Sequence, residues 1–143
     1  MRAAFSVLAL ALAFAARAEL PVVELSAGMH LIRAELADTF ASRMQGLMHR
    51  EKLGQNAGML FVFDESATHC MWMRNTLIPL SVAFLDDAGT IVNIADMQPQ
   101  TGDSHCAARP ARYALEMNRG WFAERSIKPG ARLRGIDKPA PRR

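Results

Sequence analysis

No nucleophile is framed in this sequence. A serine or cysteine nucleophile needs a base and an orienting acid around it, and neither Gly-x-Ser-x-Gly nor a similar frame occurs. Gly46, Gly54 and Gly58 lack the Gly-Lys-Ser/Thr ending of a phosphate loop. The acidic pairs Asp64-Glu65 and Asp86-Asp87 read as loop and turn residues, and His30 and His49 as surface residues. Catalytic residues are therefore unassigned, and a hydrolase-type enzyme with an unframed site stands only as an alternative.

Long apolar runs are missing too. The longest is the 14-residue stretch Ala3 to Ala16, AAFSVLALALAFAA, whereas a membrane helix needs about 20 such residues. It follows Met1-Arg2 and precedes Ala16-Arg17-Ala18, and a basic start, a short apolar stretch and small residues at a cut make a secretory signal peptide. The expectation is cleavage after Ala18, a periplasmic or secreted protein, and no stable membrane insertion once the signal is gone. Residues 19 to 136 then form a single domain, and residues 137 to 143 a flexible tail.

An excess of one charge is the third absence. The chain carries 17 Lys+Arg against 14 Asp+Glu, but Arg2 and Arg17 leave with the signal peptide. Without the tail residues Asp137, Lys138, Arg142 and Arg143 as well, 12 basic residues face 13 acidic ones. A nucleic-acid binder keeps a basic surface after such trimming, so a nucleic-acid partner is not expected.

Cysteine is scarce, and its placing is informative. Cys70 and Cys106 are the only two, each preceded by a histidine, in THCMWM and SHC. Neighbouring side chains of a strand point to opposite faces, so His69 and Cys70 cannot share one ion on a regular strand, and no close ligand pair such as Cys-x-x-Cys is present. An exported chain meets oxidising conditions, so a Cys70–Cys106 disulfide is expected, with no metal site and no cofactor. A soft-metal alternative persists, because Met71 and Met73 lie two apart beside Cys70 and copper(I) prefers thioethers and thiolates. Met44, Met48, Met59 and Met117 sit where apolar core residues are expected and read as filler.

What remains is a string of short strands. Val22 to Leu25 and the loosely alternating residues 29 to 38 begin it. Phe40, Met44, Leu47 and Met48 then fall at helical spacing, with Asp38 or Thr39 as cap and Gly46 keeping the helix short. Strands follow at Gly58 to Phe63, His69 to Met73 and Ser81 to Asp86, the last turning through Asp87-Ala88-Gly89 into Thr90 to Met97 as a hairpin. Gln98 to Pro110 reads as a long loop of the kind that is functional or tied down. Ala111 to Met117 is a strand, Asn118 to Arg125 holds a helical turn, and Ala131 to Ile136 closes the domain. The fold class is mostly β, a single-domain antiparallel sandwich or barrel with one or two short helices.

The densest chemistry lies in MWMRNTLIPL, residues 71 to 80. Trp72 offers a stacking face, Arg74 a forked cation, and Asn75 and Thr76 hydrogen-bonding side chains, just before Pro79 turns the chain. The group could bind a sugar, an anion or a peptide. Its structural reading pairs Arg74 with Glu116 and gives Asn75 to the turn.

These residues also carry a resemblance. Arg43 with Gly46-Leu47-Met48, the run Gly58 to Phe63, Met71 to Thr76 with Ile78-Pro79-Leu80, Ala83 to Asp86, Pro110 to Tyr113 with Leu115-Glu116, and Ile127 to Gly130 occur in the order seen in domain-of-unknown-function family 192, also called UPF0127. The resemblance implies a compact, mostly β, jelly-roll-like fold among small and often exported bacterial and archaeal proteins of unestablished activity. It adds Arg43 and Glu116 to Arg74 and Asn75 as polar residues of a shared site or a buried network. The family pattern usually has Lys in place of Arg74 and Asp in place of Ser81, so the acid is lost at the second position. The functional expectation is a non-catalytic ligand-binding or accessory domain of the cell envelope. Arg43, Trp72, Arg74, Asn75, Thr76 and Glu116 are its candidate contacts to a small-molecule or envelope ligand.

Overall fold

The alternation that begins at Val22 produces a hairpin: β1 (Val22–Ala27) turns at Gly28 into β2 (His30–Ala37), pairing Val22 with Glu35 through to Ala27 with His30. Leu25, Ile32 and Ala34 point inward and are fully enclosed, while Arg33 faces solvent. The computed structural model describes residues 19–137. The expected signal peptide at 1 to 18 and the tail from 138 onward lie outside the described residues.

After β2 the chain crosses over through α1 (Phe40–Gln45) and enters β3 (Ala57–Ala67), which pairs with β2 in parallel. This is the one parallel pair in a sheet that is otherwise antiparallel, and a parallel pair needs such a crossover. Thr39 caps α1 by accepting the Ser42 N–H at 3.1 Å, and the Ser42 hydroxyl accepts the Thr39 N–H at 3.0 Å. The helix ends at Gly46, whose φ of 46° suits glycine and whose missing Cβ would meet the Phe61 ring at 3.4 Å. The two-residue strand β4 (Cys70–Met71) is followed by β5 (Leu80–Leu85) and β6 (Ile91–Met97), the expected hairpin, in which the Asp86 carboxylate accepts the N–H groups of Ala88 and Thr90. Then come β7 (His105–Cys106), β8 (Ala111–Asn118), α2 (Trp121–Glu124) and β9 (Leu133–Arg134).

Seven strands make one sheet in the order β6-β5-β8-β3-β2-β1-β9. Its edges meet at one end, where Thr90 bridges Arg132, the Ile91 N–H donates to Ala131 O at 2.8 Å and the Leu133 N–H donates to Gly89 O at 2.9 Å. The sheet is thus a curled half-barrel within the expected class. All seven strands feed the cluster inside the curl, which includes Leu25, Ile32, Leu60, Leu115 and Leu133 and is plugged by Trp121 and Phe122 of α2.

A second cluster covers the outer face of the central strands. Met59 and Phe61 of β3, Val82 and Phe84 of β5 and Ala114 of β8 pack there under Leu47, Met73, Ile78 and Met97. Burial on both faces explains why Gly58 to Phe63 is apolar without a break: Leu60 and Val62 turn inward while Met59, Phe61 and Phe63 turn outward. Gly58 permits the close packing of β3 on β8, since a Cβ there would lie 2.5 Å from Glu116 O.

Two sequence expectations fail here. The apolar stripe of α1 does not face a core, because Phe40 and Met44 are 75% and 50% exposed and only Leu47, beyond the helix, is buried. A helix of six residues ends before it can lay a stripe along the sheet. Met44 is accordingly not core filler, although Met59 and Met117 are. Secondly, the strands drawn at His69 to Met73 and Ala131 to Ile136 shrink to two residues each, since only Cys70–Met71 and Leu133–Arg134 pair, with β7 and with the end of β1.

Candidate functional site

A pocket of about 200 Å³ opens on the outer face of the half-barrel. Its floor is the sheet, through Phe61 and Phe63 of β3 and Glu116 of β8. One wall is α1 with the turn after it, contributing Phe40, Arg43, Met44 and Gln45. The facing wall is the segment from Cys70 to Thr76, contributing Met71 and Trp72.

That second wall has little regular structure and is held from behind. Cys70 and Cys106 are bonded to each other and face one another across β4 and β7, with Cα atoms 3.9 Å apart. The Met73 N–H donates to Thr101 O at 3.2 Å and the Gln100 N–H donates to Thr76 O at 3.0 Å. The long loop after Met97 is therefore fastened to the pocket wall, covalently at one point. His69 turns away from Cys70, stacking on Phe63 with ring centres 3.8 Å apart, and its Nε2 lies 2.8 Å from Glu65 O. With both sulfurs in the disulfide no thiolate is left for a soft metal, and Met73 is sealed in the outer core while Met71 lines the pocket.

Four of the six candidate residues line this one pocket: Arg43, Trp72, Thr76 and Glu116. Arg74 and Asn75 do not. Arg74 is exposed and its guanidinium lies 5.6 Å over the Trp72 ring, and no contact joins it to Glu116, so the expected Arg74–Glu116 pair is absent. Asn75 takes the left-handed backbone position of the turn, φ 53°, which asparagine tolerates. Its carbonyl accepts the His49 N–H at 2.9 Å, tying the two walls together. The reading of Asn75 as a turn residue therefore holds.

Arg43 is largely spent within the protein. Its Nη1 donates to Asp38 O at 2.9 Å and Val62 O at 3.0 Å, and its Nη2 donates to the Asp64 carboxylate at 3.3 Å. These bonds pin α1 to the residue after β2 and to the middle of β3, and so set the width of the pocket.

Glu116 is the unusual group. It sits on β8 between Met59 of β3 and Val82 of β5, is 4% exposed, and its carboxyl has no hydrogen-bond or ionic partner among the described residues. Burial alone pushes the carboxyl up from its ordinary range to about 8. At neutral pH it is mostly a protonated acid, able to donate through O–H and accept through C=O. A second unmet polar atom, the Gln45 Nε2, is buried without a partner among the described residues.

Ser81 lies on the other face of the sheet. Its hydroxyl is 2.6 Å from the Asp96 carboxylate and accepts the Gly120 N–H at 3.0 Å. A carboxylate thus sits one strand away from the position where the family pattern has Asp, and the loss of that acid does not touch the pocket.

Sequence reasoning missed the aromatic and thioether lining, namely Phe40, Met44, Phe61, Phe63 and Met71. The outward parity of Phe61 and Phe63 was available in the strand pattern, but nothing local says that α1 stands off the sheet beside them.

The model of the family DUF192, described as "Uncharacterized ACR", matches residues 22–135. No curated protein matches the chain. Among solved structures, a protein of unknown function from Novosphingobium aromaticivorans DSM 12444 is 37% identical with a TM-score of 0.77, over 80% of this chain and 85% of that one. A protein from Sinorhizobium meliloti 1021, provisionally described as a transcription regulator, is 35% identical with a TM-score of 0.75, over 80% of this chain and 92% of that one.

Proposed function

From a chain that belongs to the uncharacterised domain-of-unknown-function family 192, we propose a function drawn from the pocket: the protein is a non-catalytic domain that binds a small ligand outside the cytoplasm, as an accessory part of the cell envelope. One observation carries this reading, the buried, unpartnered Glu116 carboxyl at the floor of an apolar pocket. A buried polar group without a partner costs roughly 1–3 kcal/mol. A ligand that enters the pocket and pairs with this carboxyl gains a hydrogen bond in apolar surroundings. Trp72 and Thr76 contribute contact surface, Arg43 sets the width, and Arg74 and Asn75 act from behind the wall. The disulfide and the N-terminal residues 1 to 18 support an exported location. The provisional label of the Sinorhizobium protein is not carried over, because the near-neutral charge of the body, 12 basic against 13 acidic residues, offers a nucleic acid little attraction.

Methyl NMR of the methionines tests the binding reading during a screen of ring-sized fragments. Met44 and Met71 line the pocket, while Met59 and Met117 sit in the cores. The expected result is saturable shifts at Met44 and Met71 with the core methyls still; a fragment set that moves neither pocket methyl removes the reading. For location, the chain expressed in a bacterium is expected in the periplasmic fraction, with an intact mass that begins at Glu19 and contains one disulfide. Cytoplasmic protein of full length would overturn export.

A further inference from the structure

Resting on the pocket reading, the ligand class can be narrowed by asking which polar groups of the pocket are still unmet. Arg43 has committed three N–H bonds to Asp38 O, Val62 O and Asp64. Thr76 donates its hydroxyl to Arg74 O at 3.2 Å. Cys70 is in the disulfide. Glu116, the Gln45 amide nitrogen and the two remaining N–H groups of Arg43, all donors or acid O–H, are left over. The amide nitrogen is a donor only. A carboxyl walled in by Met59, Val82 and Phe61, with the guanidinium of Arg43 engaged elsewhere, cannot hold a charge cheaply and rests as the acid, whose O–H is a donor. The Glu116 O–H and the Gln45 N–H groups therefore ask for an acceptor, while the acid's own C=O stays available to water or to a donor.

Size is set by the walls. A cavity of about 150 Å³ takes up one benzene, and this pocket has about 200 Å³. Phe61, Phe63, Met44, Met71 and Trp72 present ring faces and thioethers around that volume. An ammonium ion would meet the cation of Arg43 on one wall. A carboxylate would have to leave water for a floor whose acid is itself reluctant to ionise.

We propose that the pocket takes a small uncharged ligand, with an apolar body about the size of one six-membered ring and a single oxygen acceptor, a carbonyl or an ether, hydrogen-bonded by the Glu116 acid with help from Gln45.

Four probes of one shape decide it: cyclohexanone, cyclohexene, cyclohexylammonium and cyclohexanecarboxylate, titrated at pH 6.5 and pH 9.5 and followed at the Met44 and Met71 methyls. Cyclohexanone is expected to bind roughly three- to tenfold tighter than cyclohexene at pH 6.5, the worth of one neutral hydrogen bond. That advantage should vanish at pH 9.5, where Glu116 is ionised. Arg43 is the other charged group in the pocket lining. In Glu116→Gln, which keeps a donor, the preference is expected to persist at both pH values. Equal binding of cyclohexanone and cyclohexene at pH 6.5 overturns the ligand class while the pocket stands. Preference for cyclohexylammonium, with affinity rising toward pH 9.5, overturns it as well, as does preference for the carboxylate. Silence of both methyls to all four probes overturns the pocket reading itself.

Discussion

Glu116 links the site to the stability of the whole fold. Its carboxyl sits at about 8 in the folded chain, above the ordinary value of 4.5. The folded state therefore holds a proton that the unfolded state releases once pH passes 4.5. The stability that Glu116 contributes is highest below that value, falls as pH rises toward 8, and levels off above it. Comparing urea unfolding of the protein with that of Glu116→Gln isolates the effect: the variant's relative stability is expected to gain about 3 to 4 kcal/mol between pH 5 and pH 8. Parallel pH profiles for the two proteins would mean that Glu116 is already ionised in the folded state. The sequence marked Glu116 as a polar residue of a shared site or a buried network. It did not reveal that the acid is unpaired, because Arg74 follows its own neighbour Trp72 rather than a residue brought near only by the sheet.

At the scale of elements, the site is one short helix and one irregular segment held apart over a sheet. The disulfide supports the segment. Replacing Cys70 and Cys106 together by serine opens a loop spanning 36 residues, and the chain-entropy model assigns about 4 kcal/mol to such a closure. The denaturation midpoint is expected to fall accordingly, and the Met71 methyl to lose its resolved environment. An unchanged midpoint would show that the bonds from Met73 and Gln100 suffice. This pairing was legible because two cysteines, an inferred oxidising compartment and strand alternation leave few options, and β4 and β7 do set Cys70 opposite Cys106 while His105 faces Met71. The helix stripe was not legible as a pocket wall. Phe40 and Met44 have the spacing of core residues, and only the distance at which Arg43 pins the helix leaves them over open space. The hairpin at Asp86 to Gly89 was read correctly, since its turn chemistry is entirely local.

Over the whole molecule, every strand of the sheet contributes to the inner cluster, whereas the outer one draws on the central strands and is closed by irregular chain. The seam at Thr90 and Arg132 joins residues far apart in sequence, and nothing in the string announced it. Fold class followed from turn residues and alternation; β7 within the expected loop, the closure and the parallel β2–β3 pair depend on long-range pairing that no local pattern encodes. The two layers should part company in hydrogen exchange. Amides of Met73, Gln100 and Ala107 are expected to exchange through a partial opening well below the global unfolding free energy, while those of β3, β5 and β8 wait for the whole domain. Uniform protection across both sets would contradict this. If the layers do separate, entry to the pocket needs no hinge: the outer cover can breathe while the half-barrel keeps its shape, and an occupant that steadies the Cys70–Thr76 wall would slow that breathing at residues it never touches.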